Sequence, residues 1–152
     1  MSDKIVKNLN FGDNARVNVF KGIEKLTKAV SSTLGASGKC VILEDGSGNP
    51  MITKDGVTVA DLITLLDPVE NMGATLIKEA ARKTVQEAGD GTTTATVLAH
   101  AILKEAYNLD SKQVNTRDLK GGINKAVDKV VKHLEKNSIK VTGDMIDSVA
   151  TI

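Results

Sequence analysis

Apolar residues recur at three- and four-residue steps along most of this chain, and that spacing restricts it largely to packed α-helices. Between Asp13 and Leu34 the series is Phe20, Ile23, Leu26, Val30 and Leu34, one buried helical face stopped by Gly35. A second helix opens on Asp67, Pro68 and Glu70: an N-cap acceptor, proline at the first helical position, and a carboxylate placed to close a capping box. It is expected to end near Ala88, with Gly89 in the left-handed position beyond it. Its predicted stripe is Val69, Met72, Leu76 and Ala80, with Ile77 and Ala81 beside them. A third helix, from Asp90 or Thr92, carries Val97, Leu98, Ala101, Ile102 and Ala106. The fourth, after Asn115 or Thr116, carries Leu119, Ile123, Val127, Val130 and Leu134, and both faces read as core-bound. After a break from Asn137 to Gly143, the apolar stretch Met145, Ile146, Val149, Ile152 runs to the terminus without Gly, Pro or a polar tail. The chain is therefore expected to stop inside an element, as a truncated piece.

One segment departs from helical spacing. Lys39 to Glu44 and Pro50 to Thr53 flank the turn-forming run Asp45-Gly46-Ser47-Gly48-Asn49, which reads as a β-hairpin with a five-residue loop. The expected fold class is thus mainly α, a helical bundle with one hairpin. Its 152 residues suit one ordinary domain, which buries roughly 68–70% of the surface its unfolded chain exposes. Only Tyr107, Phe11 and Phe20 are aromatic, so the core must be aliphatic and stacking on bases is nearly excluded. Twenty Lys and Arg against 19 Asp and Glu leave no global positive field for nucleic acid or an anionic membrane. The opening Met-Ser-Asp-Lys lacks an apolar signal region and no stretch is long enough to span a membrane, so a cytoplasmic protein is expected. Cys40 permits no internal disulfide and reads as a packed strand residue; with only His100 and His133, a Cys/His zinc cage lacks ligands.

Three strings carry candidate chemistry. Gly89-Asp90-Gly91-Thr92-Thr93-Thr94-Ala95-Thr96 lies where one helix ends and another begins. A helix N-terminus offers unpaired N–H groups and a positive dipole end, Gly91 lets an oxygen approach the backbone, and the threonines add hydroxyl donors. Asp90 is a hard oxygen ligand of the kind Mg²⁺ accepts, and equally could be an ordinary N-cap. Thr53-Lys54-Asp55-Gly56 pairs a cation able to contact phosphate with a carboxylate able to orient water or a metal. Set between Ile52-Thr53-Lys54 and Val57-Thr58-Val59, its Asp-Gly is also a two-residue hairpin signal, which residue spacing alone favours. Thr33-Leu34-Gly35-Ala36-Ser37-Gly38 is a helix end opening into a loop, with no Walker or dinucleotide spacing.

In order, Ala15-Arg16-Val17, Thr33-Leu34-Gly35, Ile52-Thr53-Lys54-Asp55-Gly56-Val57, Glu70-Asn71-Met72-Gly73-Ala74 and Gly89-Asp90-Gly91-Thr92-Thr93-Thr94-Ala95-Thr96-Val97-Leu98 resemble the group I chaperonins of the GroEL type. The likeness runs from Phe11 to Ile152 and displaces the hairpin reading at Asp55. It implies an ATP-dependent, ring-forming folding machine, of which this chain is the N-terminal half of the equatorial ATP-binding domain (1–136) and the start of the intermediate hinge domain (137–152). Carried over by resemblance, Thr33, Leu34 and Gly35 line the nucleotide and Lys54 lies near the phosphates. Asp90 ligates Mg²⁺, Gly91, Thr92, Thr93 and Thr94 hold phosphate oxygens, and Asp55 helps arrange the attacking water. The cofactors implied are ATP and Mg²⁺; the partners are homo-oligomeric ring subunits, a co-chaperonin and unfolded clients. The hairpin resembles the stem that pairs with a neighbouring subunit. Ala36 and Ser37 stand where the family usually has Pro and Lys, so a less rigid loop is expected. The family's apical domain, most of its hinge and the rest of the pocket correspond to nothing in these 152 residues. A truncated relative without ATPase activity that binds full-length subunits is the alternative reading. A small helical phosphate-binding protein of other descent is the third.

Overall fold

The computed structural model describes residues 9–109 and 114–151. The elements are α1 (Gly12–Ser31), β1 (Val41–Glu44), β2 (Pro50–Thr53), α2 (Gly56–Leu62), α3 (Pro68–Ala88), α4 (Thr92–Asn108), α5 (Thr116–Asn137), a 3-10 turn (Gly143–Met145) and α6 (Ile146–Ala150). They fall into two compact units that divide between Leu103 and Lys104. Among the described residues no helix is long and apolar enough to cross a membrane.

The first unit is built on α1 packed against α3. Glycines set how closely the two can approach: a methyl group at Gly22 would lie 1.8 Å from the Glu70 carbonyl oxygen, and one at Gly73 would lie 2.0 Å from that of Val19. No side chain fits at either crossing point. Around this contact Ile23, Leu26, Val30, Ala74 and Ile77 join Val59 and Ala60 of α2 in one buried cluster. Each fully buried Leu, Ile or Val contributes about 1.5–3 kcal/mol relative to exposure, so this aliphatic cluster is the principal source of stability.

That close approach rotates α3 away from its predicted face. Gly73, Ala74, Ile77 and Ala81 are buried, whereas Met72 and Leu76 are mostly exposed. On α1 the buried set is Gly22, Ile23, Leu26, Thr27 and Val30; Phe20 is only half-buried, and the helix stops at Ser31, leaving Leu34 exposed beyond it. The Asp67 carboxylate caps α3 as expected, accepting from Val69 N and Glu70 N, with Pro68 in the first turn and Gly89 left-handed at the end (φ 77°). Glu70 closes no capping box, because its carboxylate is taken by Lys25 of α1.

The hairpin forms where expected, with the register Val41 facing Thr53, Ile42 facing Ile52, Leu43 facing Met51 and Glu44 facing Pro50. Its loop is organised by the Asp45 carboxylate, which accepts from Ser47 N and Asn49 N at 2.8 Å each. Val41 and Leu43 pack on the core, while the Ile42–Ile52 pair on the opposite face is largely exposed. Cys40 is exposed and lies one residue outside the strand, not packed within it as expected.

In the second unit, Asn115 caps α5 by accepting from Arg117 N at 2.9 Å. No residue of α5 is buried: Leu119 and Ile123 are half-buried, and Val127, Val130 and Leu134 are exposed. Likewise Leu98 and Ile102 of α4 are exposed, and the buried residues of that helix are Thr92 and Thr96. The core-bound faces predicted for both helices are therefore only partly covered within the described residues. The apolar stretch near the end forms the 3-10 turn and α6, with Ile152 outside the described residues.

Candidate functional site

The starts of α2 and α4 meet. Gly56, the first residue of α2, lies so close to Thr93 that a methyl group there would be 2.2 Å from the Thr93 hydroxyl. Around this contact Asp55, Gly56, Val57, Asp90, Gly91, Thr92, Thr93 and Thr94 line an open cleft of about 160 Å³. Two strings that lie some 35 residues apart in sequence thus supply one site. Thr33, Leu34, Gly35 and Lys54 are not among the residues lining it.

Asp55 forms no hairpin turn. It sits at the N-cap of α2 in extended backbone (φ −73°, ψ 116°). Its Oδ1 accepts from Val57 N at 3.3 Å; its Oδ2 accepts from Thr58 N at 2.9 Å and from the Thr58 hydroxyl. The Thr58 hydroxyl and then its amide hold the Asp55 carboxyl below the ordinary carboxylate value, outweighing partial burial, which raises it. The side chain is an anion with part of its accepting capacity already spent.

Asp90 is placed differently. The chain leaves α3 through Gly89 and passes Gly91 at φ 96°, so two left-handed residues bracket the carboxylate. The first helical bond of α4 runs from Ala95 N to Gly91 O at 2.8 Å, which makes Gly91, not Asp90, the capping residue. Among the described residues, Asp90 Oδ1 accepts only from Gly91 N, at 2.6 Å. The amides of Thr92, Thr93 and Thr94 donate to no group among the described residues, as the first turn of an uncapped helix does. Deeper in α4, the Thr96 hydroxyl donates to Thr92 O at 2.8 Å and is used internally.

The donor set decides what such a cleft can hold. Unpaired amides at the positive end of a helix attract oxyanions. Two carboxylates in the same lining, with no Lys or Arg beside them, repel a bare anion. Both features are satisfied together by a phosphate accompanied by a divalent cation. Among the described residues no group of three or more Asp, Glu, His or Cys could hold a metal. Mg²⁺ binds one or two carboxylates and takes its other ligands from water and phosphate. Of the two, Asp90 has more accepting capacity left for a metal.

At the end of α1, the Thr33 hydroxyl donates to Val30 O at 2.7 Å and Gly35 is left-handed at φ 72°. Gly38 N donates to Gly35 O at 2.9 Å and Lys39 N to Ser32 O at 2.8 Å, so this loop is closed by its backbone despite Ala36 and Ser37. Residue spacing missed helix α2 and, with it, Thr58. The signal was present as Asp-x-x-Thr from Asp55, the spacing of an acceptor and a hydroxyl one turn apart.

These observations define a mainly helical protein with one hairpin and a cleft of free amides and carboxylates where two helix starts converge. Residues 26–152 match the TCP-1/cpn60 chaperonin family, and the chain belongs to that family. Over 147 residues, 96% of its length, it is 49% identical to Heat shock protein 60 of Emericella nidulans, of which the match spans 25%. Two solved structures are similar. A group III chaperonin in the open state superposes with a TM-score of 0.70 at 34% identity, over 84% of this chain and 25% of that one. The chaperonin gp146 from the bacteriophage EL 2 (Pseudomonas aeruginosa), crystallised in the presence of ATP-BeFx, gives 0.71 at 33% identity, over 86% of this chain and 22% of that one. The chain thus spans about a quarter of the length of these relatives.

Proposed function

We propose that this chain is the opening part of an ATP-driven, ring-forming chaperonin subunit of the group I type, and that it carries half of the Mg·ATP site. The observation that carries this reading is the lining of the cleft: free amides and two carboxylates, with no basic side chain, where α2 and α4 begin. In this reading Gly91, Thr92, Thr93 and Thr94 bind phosphate oxygens through amides and hydroxyls, and Asp90 holds the cation. The cation supplies neutralisation of the phosphate charge. Asp55, kept ionised by its caps, orients the attacking water. Thr33, Leu34, Gly35 and Lys54 add contacts to the nucleotide from outside the cleft. Catalysis of this kind is positioning and charge stabilisation rather than covalent chemistry.

By the same reading residues 1–136 are the first half of an equatorial domain and residues 137–152 begin a hinge. Ring neighbours, a co-chaperonin and unfolded clients are partners of the complete subunit. The uncovered Ile42–Ile52 face and the uncovered apolar residues of α5 agree with a piece whose packing partners lie elsewhere. Crystals of the complete subunit grown with Mg·ADP are expected to show phosphate oxygens on the Thr92 to Thr94 amides and the cation on Asp90. Nucleotide bound with that cleft empty overturns the assignment. The 152-residue chain by itself should bind Mg·ATP weakly and hydrolyse none above background; calorimetry giving a Kd below about 1 μM contradicts a half site.

A further inference from the structure

Asp55 carries more hydrogen bonds than helix capping requires, as comparison with Asp67 shows. At the start of α3, Asp67 accepts both Val69 N (2.8 Å) and Glu70 N (2.9 Å) on the single oxygen Oδ1. At the start of α2, Asp55 spreads the two equivalent amides over both oxygens, and the Thr58 hydroxyl adds a third bond on Oδ2. Thr58 holds the third helical position, which Glu70 holds in α3. Glu70 turns away to Lys25, whereas Thr58 turns back onto the capping carboxylate. Oδ2 is thereby loaded with two donors, and Oδ1 keeps only the long 3.3 Å contact from Val57 N.

We propose that Thr58 is a positioning residue for Asp55: its hydroxyl occupies Oδ2, fixes the carboxylate rotamer, and leaves Oδ1 as the oxygen that accepts from the attacking water. This rests on the reading of the cleft as an Mg·ATP site. In the step it serves, the water oxygen bonds to the terminal phosphorus while the bond from that phosphorus to the bridging oxygen breaks. The electron pair stays on the diphosphate, and the water proton passes to the released phosphate. Asp55 orients the water and does not keep the proton, a role suited to a carboxylate held below its ordinary value by the same hydroxyl.

The test uses the complete subunit with Thr58→Val, which removes the hydroxyl while keeping the amide and the branched shape, and Thr58→Ser, which keeps the hydroxyl. Thr58→Val should lower kcat about 10-fold or more, within the range typical of a lost orienting group, and leave KM for Mg·ATP within about twofold. Thr58→Ser should restore kcat to within about twofold of the parent. A Val variant with parental kcat, or a Ser variant as slow as Val, overturns the proposal. If Val does not fold, Thr58→Ala is read by the same criteria against Ser. Asp90→Ala is run beside them: if it retains metal-dependent turnover, the site assignment itself is wrong. If it is dead while Thr58→Val is not, only the role of Thr58 falls.

Discussion

Both α3 and α4 are preceded by an aspartate, and the two aspartates do opposite things. Asp67 stands at the capping position of α3 and spends its carboxylate on two amides of the first turn. Asp90 stands one residue further out, with Gly91 at the capping position of α4, and its carboxylate takes only the Gly91 amide. A shift of one residue therefore separates a structural cap from a carboxylate with accepting capacity to spare. The substitution costs little, since glycine at a cap is only a few tenths of a kcal/mol poorer than the best residues there. What it yields is three unpaired amides and a carboxylate with one oxygen still unengaged in one cleft.

The largest effect expected from this contrast is on turnover. Asp90→Ala in the complete subunit should lower Mg-dependent ATP hydrolysis about 100-fold or more, the scale of a lost charge-stabilising group, while the thermal melt barely moves. A large loss of stability with turnover intact would make Asp90 a cap after all. Asp67→Ala should do the reverse, costing about 1 kcal/mol in urea unfolding of this chain and leaving the complete subunit's kcat within about twofold. The smallest effect concerns Asp55, which caps α2 through both carboxylate oxygens. Its carboxyl titrates lower in the folded than in the unfolded chain, so the stability it adds is present above the unfolded value near 3.8 and disappears as pH falls through the lower folded value. Asparagine caps a helix about as well as aspartate. Asp55→Asn should therefore keep most of the stability at pH 7 but lose part of the fall in urea midpoint between pH 5 and pH 2. A fall identical to that of the parent would show that the Thr58 contacts do not favour the ionised carboxylate.

Local signals were readable where they depend on one residue and its neighbours. Pro68 after Asp67, Gly89 after Ala88, Asn115 before Thr116 and the Asp45 to Asn49 loop all act through short-range hydrogen bonds and backbone preference, and all are found as read. The Asp90 to Thr94 string was readable for the same reason: it is a helix start with an unusual donor set. Asp55-Gly56 was not, because residue spacing alone favours a hairpin turn at the same two residues. Burial of Val59 and Ala60 in the common core selects the helix.

The sequence by itself determined that the chain is a set of aliphatic helices with one hairpin, and where most of those helices begin and end, since periodicity and capping are local. Only the tertiary structure decided which faces are buried. The crossing at Gly22 and Gly73 brings two backbones together, and this contact, rather than the largest apolar residues, sets the rotation of α3 and leaves Met72 and Leu76 outside. It also decided that Asp55 and Asp90 share a cleft, because the meeting of Gly56 with Thr93 is a contact between residues 37 positions apart that no repeat or spacing encodes.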